Sequence, residues 1–258
     1  EINAAVAKTT IQLAAGTYRG SVSINKTFAA ADALIIKGAA SFASIATGTW
    51  TMTGARQIVT GINFSGTGAK ISVKGANNKV LGNKFSGWVT TGVVSFGDAA
   101  SSADADNEIA YNELGPPGTQ GTIQYNWAVK QFSSSVASSV QLRLWIHHNL
   151  FTGQTSADYR ADAIEMGEAG SYSFVPTLST GTYIEDNYFN NIQLSAENVI
   201  DIKLGGMVIR RNTIAANSSA CVIDARFGNN SIWESNYLHT GTLRIAAKGH
   251  KVIGNYGP

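Results

Sequence analysis

Two segments of the chain, 23 residues apart, repeat one pattern of apolar and charged residues: Val199-Ile-Asp-Ile-Lys-Leu-Gly205 and Val222-Ile-Asp-Ala-Arg-Phe-Gly228. Read as strands, whose alternate side chains face opposite sides, they turn Ile200, Ile202, Ile223 and Ala225 toward a core. Asp201, Lys203, Asp224 and Arg226 then face outward. On neighbouring rungs, about 4.8 Å apart, Asp201 lies beside Asp224 and Lys203 beside Arg226. Ala163-Ile-Glu165-Met-Gly167 and Leu243-Arg244-Ile245 fit the same frame, so Glu165 and Arg244 extend the column of the two acids. A strip of this kind is either a solvated face of compensating ion pairs, each contributing ~0–1 kcal/mol, or a preassembled site. Two carboxylates ~5 Å apart have the separation used by retaining glycoside hydrolases, which makes Asp201 and Asp224 one candidate pair.

The elements that must hold such a strip are legible in a second repeat. The pattern apolar-x-x-Asn-x-apolar recurs around Asn83, Asn112, Asn149, Asn187, Asn212 and Asn236, with a clipped copy at Asn255. Successive asparagines are 29, 37, 38, 25, 24 and 19 residues apart. The short intervals set a basic coil, and the long ones are that coil plus a loop. Short strands in stacked coils of ~20–25 residues imply a single-stranded right-handed parallel β-helix, an all-β solenoid in which each coil covers the core of the next. Asparagine suits its corners, because it tolerates left-handed backbone and its amide can bond to the rung above or below. His147 and His148, beside one of these corners, read as part of it rather than as metal ligands, since no carboxylate stands at ligand spacing. Ile11-Gln-Leu, Ser21–Ile24, Ala33–Ile36 and Gly61–Phe64 read as further strands, with Gly16-Thr-Tyr18 as a turn.

Composition agrees and sets limits. The 258 residues hold 27 glycines, 4 prolines and 14% charged residues, and no linker divides them, so one domain over 1–258 is expected. A net charge of +2 gives no basic footprint for duplex nucleic acid. No apolar run approaches the ~20 residues of a membrane span, and a soluble chain is expected. The single cysteine, Cys221, excludes an internal disulfide and sits among apolar neighbours. The sequence opens on Glu1 without a signal peptide, as a processed or trimmed product would.

The stretch 192–257 resembles the catalytic region of polysaccharide lyase family six, which contains chondroitinase B and many alginate lyases. The motifs that carry the resemblance are Ile202-Lys203, Arg211-Asn-Thr-Ile214, Arg226-Phe-Gly-Asn229, Ser235-Asn-Tyr-Leu238, Thr242-Leu-Arg244 and Lys248-Gly-His250-Lys-Val-Ile-Gly-Asn-Tyr256. Trp145-Ile-His-His-Asn-Leu-Phe151, Ala163–Gly167 and Leu13-Ala-Ala-Gly-Thr-Tyr18 are similar to family segments upstream. The resemblance implies β-elimination at a uronic acid: Lys203 removes the proton α to the carboxylate, and Arg226 assists the leaving glycosidic oxygen. Arg244 and His250 would bind the polyanion, with Glu165, Asp201, Asp224 and Arg160 lining the site. A neutral lysine is required for the first step, and an arginine one rung away is expected to lower its pKa.

The chain departs from the family in three ways. Many members neutralise the substrate carboxylate with calcium, held by an asparagine on the earlier coil and by carboxylates seven and five positions before the lysine. Here those positions are about Tyr159, then Ala196 and Asn198, with Glu197 between them facing away. Calcium needs six or more oxygens, so no cofactor is expected and the task falls to Arg160 or Arg244. Phe227 replaces the family's histidine, and the chain ends soon after His250. The expected partner is an anionic polysaccharide, alginate before a sulfated chain given the modest charge. Nucleic acid and membrane are not expected partners. The protein would be secreted or periplasmic, as a monomer or small homo-oligomer. The rivals are a non-catalytic carbohydrate-binding β-helix and the Asp201/Asp224 hydrolase.

Overall fold

The computed structural model describes residues 6, 8–29, 32–89, 92–96, 106–118, 128–131, 142–153, 155–156, 162–167, 179–194, 198–218 and 222–257. These form a parallel β-helix. Three sheets, of ten, nine and nine strands, run the length of the molecule, and consecutive coils add one strand to each. We call them A, B and C in the order the chain meets them, starting with Thr10–Gln12, Gly16–Tyr18 and Val22–Ile24. Gly16–Tyr18, read as a turn, is therefore the first strand of sheet B. It pairs with Ser44–Ala46 and leaves the bend to the residues on either side.

Inward columns build the core. In sheet A, Ile36, Val59, Val80, Ile109, Ile146, Ile184, Ile209 and Trp233 stack in register, each buried. β-Branched side chains fit this pleated surface, where each packs on its copy one rung away. Sheet B uses aromatics in the same way. Phe64 stacks on Phe85 at 4.9 Å and Phe151 on Phe189 at 4.7 Å, centroid to centroid.

The asparagine corner lies between sheets A and B. Each side-chain Oδ1 accepts the backbone N–H of the preceding rung, from Ile62 to Asn83, then Asn83 to Asn112 and onward to Asn236 and Asn255, at 2.8–3.1 Å. Each Nδ2 donates to a carbonyl one coil back, as from Asn187 to Ile146 O at 2.9 Å. The left-handed residue is not the asparagine but the one before it. Gly82, Tyr111, His148, Asp186, Arg211, Ser235 and Gly254 have φ between 52° and 59°. The turn is made at that residue, and the asparagine side chain reaches along the axis.

A second, mixed ladder stands between sheets C and A. Asn78 and Asn107 accept the N–H of Gln57 and Asn78, Thr182 that of Leu144, Ser231 that of Met207, and His250 Nδ1 that of Ser231. Sheet C carries the charged strip on its outer side. Among the described residues no helix is long and apolar enough to cross a membrane.

Candidate active site

Sheet C places the strip in the register read from the repeat. Glu165 pairs with Asp201, Asp201 with Asp224, and Asp224 with Arg244 as Cα partners. One rung further back Lys130 joins the column opposite Glu165. Lys203 and Arg226 follow their strands directly, and Lys203 N–H donates to Met166 O at 2.9 Å. Gly167, at φ +101°, lies against Lys203, and its carbonyl accepts a hydrogen bond from Lys130 Nζ at 3.3 Å. A Cβ there would stand 3.1 Å from Lys203 Cβ, so glycine leaves room for the lysine.

The strip is not a solvated face. Asp201 and Asp224 are fully buried, Glu165 and Lys130 are 2% exposed and Lys203 is 7% exposed. Only the arginines reach solvent: the Arg226 and Arg244 side chains are 41% and 53% exposed. The expectation that Glu165, Asp201 and Asp224 line an open surface is thus corrected. Strand alternation reports which side of a sheet a residue faces, and says nothing of what covers that side.

Burial makes pairing obligatory. Glu165 is held between two ammonium groups, Lys203 on Oε1 and Lys130 on Oε2. Lys203 also stands 3.0 Å from Asp201 Oδ2, while Arg244 binds Asp224. Arg226 lies 3.9 Å from Asp201 Oδ2 and over the ring of Phe227, at 5.6 Å, so Phe227 supports the arginine. Asp201 Oδ1 and Asp224 Oδ1 are buried without a hydrogen-bond partner among the described residues.

These contacts reverse the expected shift of Lys203. Burial alone would lower its pKa, but Asp201, Glu165 with its hydrogen bond, and Asp162 outweigh burial and hold the ammonium well above the usual lysine range. Arg226 pairs with Asp201 instead of repelling Lys203. Asp162 is pushed the other way, well above the carboxylate range, by burial and by the charges of Asp201 and Glu165. It accepts the N–H of Asn198 at 2.9 Å. Burial also raises Asp201, against the pull of Lys203.

His250 leaves the site. Opposite Ser231 in the mixed ladder, its Nδ1 accepts from Ser231 N–H at 3.2 Å and from the indole of buried Trp233 at 3.3 Å. Burial holds it below the usual histidine range, so it is neutral and turned to the core edge. It cannot serve as a cation for a polyanion. Arg160 lies outside the described residues, as do Tyr159, Ala196, Glu197 and Cys221. His147 and His148 bond to each other at 2.8 Å, and His147 to Glu108 at 3.2 Å. Among the described residues they belong to no group able to hold a metal.

Sequence reasoning missed Lys130 and Asp162. Val129-Lys130-Gln131 does alternate like Ile164-Glu165-Met166, but the irregular span between them hides the register.

No protein-family profile and no curated protein matches the chain. Solved structures do match. The PL6 family alginate lyase AlyGC superposes with a TM-score of 0.80 at 20% identity, over 99% of this chain and 36% of that one. The PL6 family polysaccharide lyase Pedsa3628 from Pseudopedobacter saltans gives 0.76 at 16%, over 99% and 60%. An alginate lyase from Paenibacillus sp. str. FPU-7 gives 0.67 at 18%, over 99% and 94%. The chain therefore has the β-helix on which PL6 polysaccharide lyases are built. It spans about a third of the length of the first of these proteins and three fifths of the second.

Proposed function

We propose that the protein is a polysaccharide lyase that cleaves a uronic-acid polymer, alginate above others, by β-elimination at the outer face of sheet C. The observation that carries this reading is that Lys203 and Arg226 each follow directly on the paired residues Ile202 and Ala225 of adjacent rungs, in a column whose carboxylates are buried and whose solvent-facing charges are Arg226 and Arg244. An anionic chain would meet guanidinium groups first, with donors suited to carboxylates. Lys203 then takes the proton α to the uronate carboxylate. The electron pair forms the new C=C bond as the glycosidic C–O bond breaks, and Arg226 stabilises the departing oxygen with a hydrogen bond while that oxygen takes its proton from water.

The residues present do not fit calcium. Carboxylate oxygens of Asp162, Glu165 and Asp201 approach within 4.8 Å of one another, but Lys130 and Lys203 already occupy Glu165, and Lys203 stands on Asp201. Two ammonium groups supply the charge a divalent ion would bring, and among the described residues the cluster does not offer six free oxygens. Substrate neutralisation falls to Arg226 and Arg244.

Because the free base is the minor form of Lys203, activity should climb with pH across the alkaline range. Glu165→Gln removes one of the anions that favour the ammonium. The rising limb of log kcat/KM against pH should then move to lower pH by roughly one unit or more. An unmoved limb would mean that Lys203 is not the group being titrated.

A second reading, a polyuronate-binding β-helix without turnover, is favoured by that same ion-paired Lys203. A panel of polyuronates separates the two. Absorbance near ~235 nm from unsaturated ends should grow with at least one of them, and a chelator should leave the rate unchanged. Binding without absorbance supports the second reading, and loss of activity with chelator contradicts the calcium-free site.

A further inference from the structure

The outer face of sheet A holds a second organised surface that the lyase chemistry does not use. Three successive coils expose an aromatic residue there: Tyr111 is 61% exposed, Trp145 43% and Tyr183 40%. Trp145 and Tyr183 are direct cross-strand partners. Exposed large aromatics forfeit burial that the core would offer, and here one of them is fixed in place.

Trp145 is held from two sides. One face of its indole stacks on the imidazole of His147, with centroids 3.9 Å apart and planes at 29°. Its Nε1–H donates to Glu185 Oε1 at 2.7 Å. Glu185 is itself pinned by Arg210 and by Arg211 Nη2 at 3.0 Å. Burial would raise this carboxylate, but the hydrogen bonds from Arg210 and Trp145 and the two arginine charges hold it below the usual range. The acceptor that fixes the indole is thus ionised throughout the neutral range. Tyr111 flanks the platform against His147 and His148, and Arg210 lies over the Tyr183 ring at 5.4 Å.

The rim is polar and charged. Arg211 binds Asp186 through Nε at 2.8 Å and Nη2 at 2.7 Å, and Arg143 binds Asp106 in the same manner at 2.8 and 3.0 Å. Each guanidinium has five N–H donors, and among the described residues these bonds use Nε and Nη2 and leave Nη1 for a further acceptor. Their side chains are 45% and 56% exposed. An open aromatic face bordered by fixed polar donors matches a pyranose ring, which offers C–H groups on one side and hydroxyls or a carboxylate at its edge. A protein interface would want a larger apolar centre with fewer charges.

We propose that this strip is a second saccharide-binding surface, on which Trp145 stacks against a pyranose ring of a polyuronate chain and Arg143 and Arg211 receive its carboxylates. The choice of polyuronate rests on the function proposed above. Sheets A and C form different faces of the helix, so the surface holds polymer away from the point of cleavage.

Saturated oligouronates titrated into the Lys203→Ala protein, or Arg226→Ala if the first does not fold, give the test by tryptophan fluorescence. Quenching is expected and Trp145→Ala should abolish it; by isothermal titration calorimetry, which does not depend on the indole, Trp145→Ala should weaken binding about tenfold and Trp145→Phe should retain most of the affinity. Unchanged affinity in Trp145→Ala overturns the proposal, as does equal binding of a neutral oligoglucan. Trp145→Ala in the otherwise wild-type protein should keep its turnover on short oligouronates while its KM for polymer rises. If the surface binds and no polyuronate is cleaved, the lyase reading fails and the surface stands. If polyuronate is cleaved and binding does not depend on Trp145, the surface fails and the lyase reading stands.

Discussion

Lys203→Ala is expected to lower the rate of unsaturated-product formation by about a thousandfold, the usual scale for loss of a general base. The same substitution should destabilise the fold. Lys203 is one of two cations on Glu165 and the ammonium nearest Asp201, and all three side chains are at least nine-tenths buried. Removing one partner from a buried ion pair leaves uncompensated charge and costs about 3–5 kcal/mol. Lost activity alone would therefore be ambiguous. The double substitution Lys203→Met with Asp201→Asn resolves it, because it exchanges a buried pair for neutral groups of similar volume, which is often neutral or better, and leaves Glu165 paired with Lys130. Thermal denaturation should show stability recovered in the double variant while activity stays absent. If activity returned with stability, Lys203 would be a structural cation and the proposed chemistry would lie elsewhere.

The second large effect concerns the scaffold. Asn187→Ala removes an Oδ1 that accepts both the backbone N–H and the Nδ2–H of Asn149, and an Nδ2 that donates to Ile146 O and Asn212 Oδ1. Asn187 is 1% exposed, so water cannot replace these partners without entering the core. Each buried group left unpaired costs about 1–3 kcal/mol, which puts the total near ~4 kcal/mol, a large share of a typical ~5–15 kcal/mol stability. Asn255→Ala tests the reasoning from the other direction. It breaks bonds of the same kind to Asn236, but at the last rung, where Asn255 is only half-buried. Urea denaturation followed by circular dichroism should rank Asn187→Ala well below Asn255→Ala. Equal losses would mean that the ladder is a consequence of the stack rather than one of its supports.

How much of this was legible in the sequence depends on what each signal measures. The asparagine spacing marked the corner because a corner amide bonds to its own kind on every coil. The alignment of residues 199–205 with 222–228 gave the register of Lys203 and Arg226 because no long loop intervenes. Register is a local property of a periodic chain. Burial is not, and the exposed strip became a buried network because strand alternation carries no information about what lies over a sheet. Lys130 and Asp162 were hidden for a related reason, since the intervals of 37 and 38 residues combine a coil with a loop of unstated path. His250 was misplaced because a motif was followed where the rung mattered. Its position opposite Ser231 makes it a member of the mixed ladder, where Nδ1 accepts from both the Ser231 N–H and the Trp233 indole.

The charge balance also corrected the chemistry. From the sequence, the nearest charge to Lys203 was Arg226, which argued for a lysine poised to lose its proton. In the structure three carboxylates outweigh burial around Lys203, and the ammonium is the resting form. Catalysis by this residue must then draw on the alkaline range, or on a proton passed to Glu165 within their shared contact.

The most direct test of the central claim is the mass of the newly formed non-reducing end after the protein acts on a defined oligouronate. Elimination leaves an unsaturated sugar lighter than its hydrolytic counterpart by one water. New non-reducing ends that all carry this loss, with the fragment holding the original non-reducing end left saturated and neither formed when Lys203→Ala is used, are the expected result. Fully hydrated ends would contradict β-elimination.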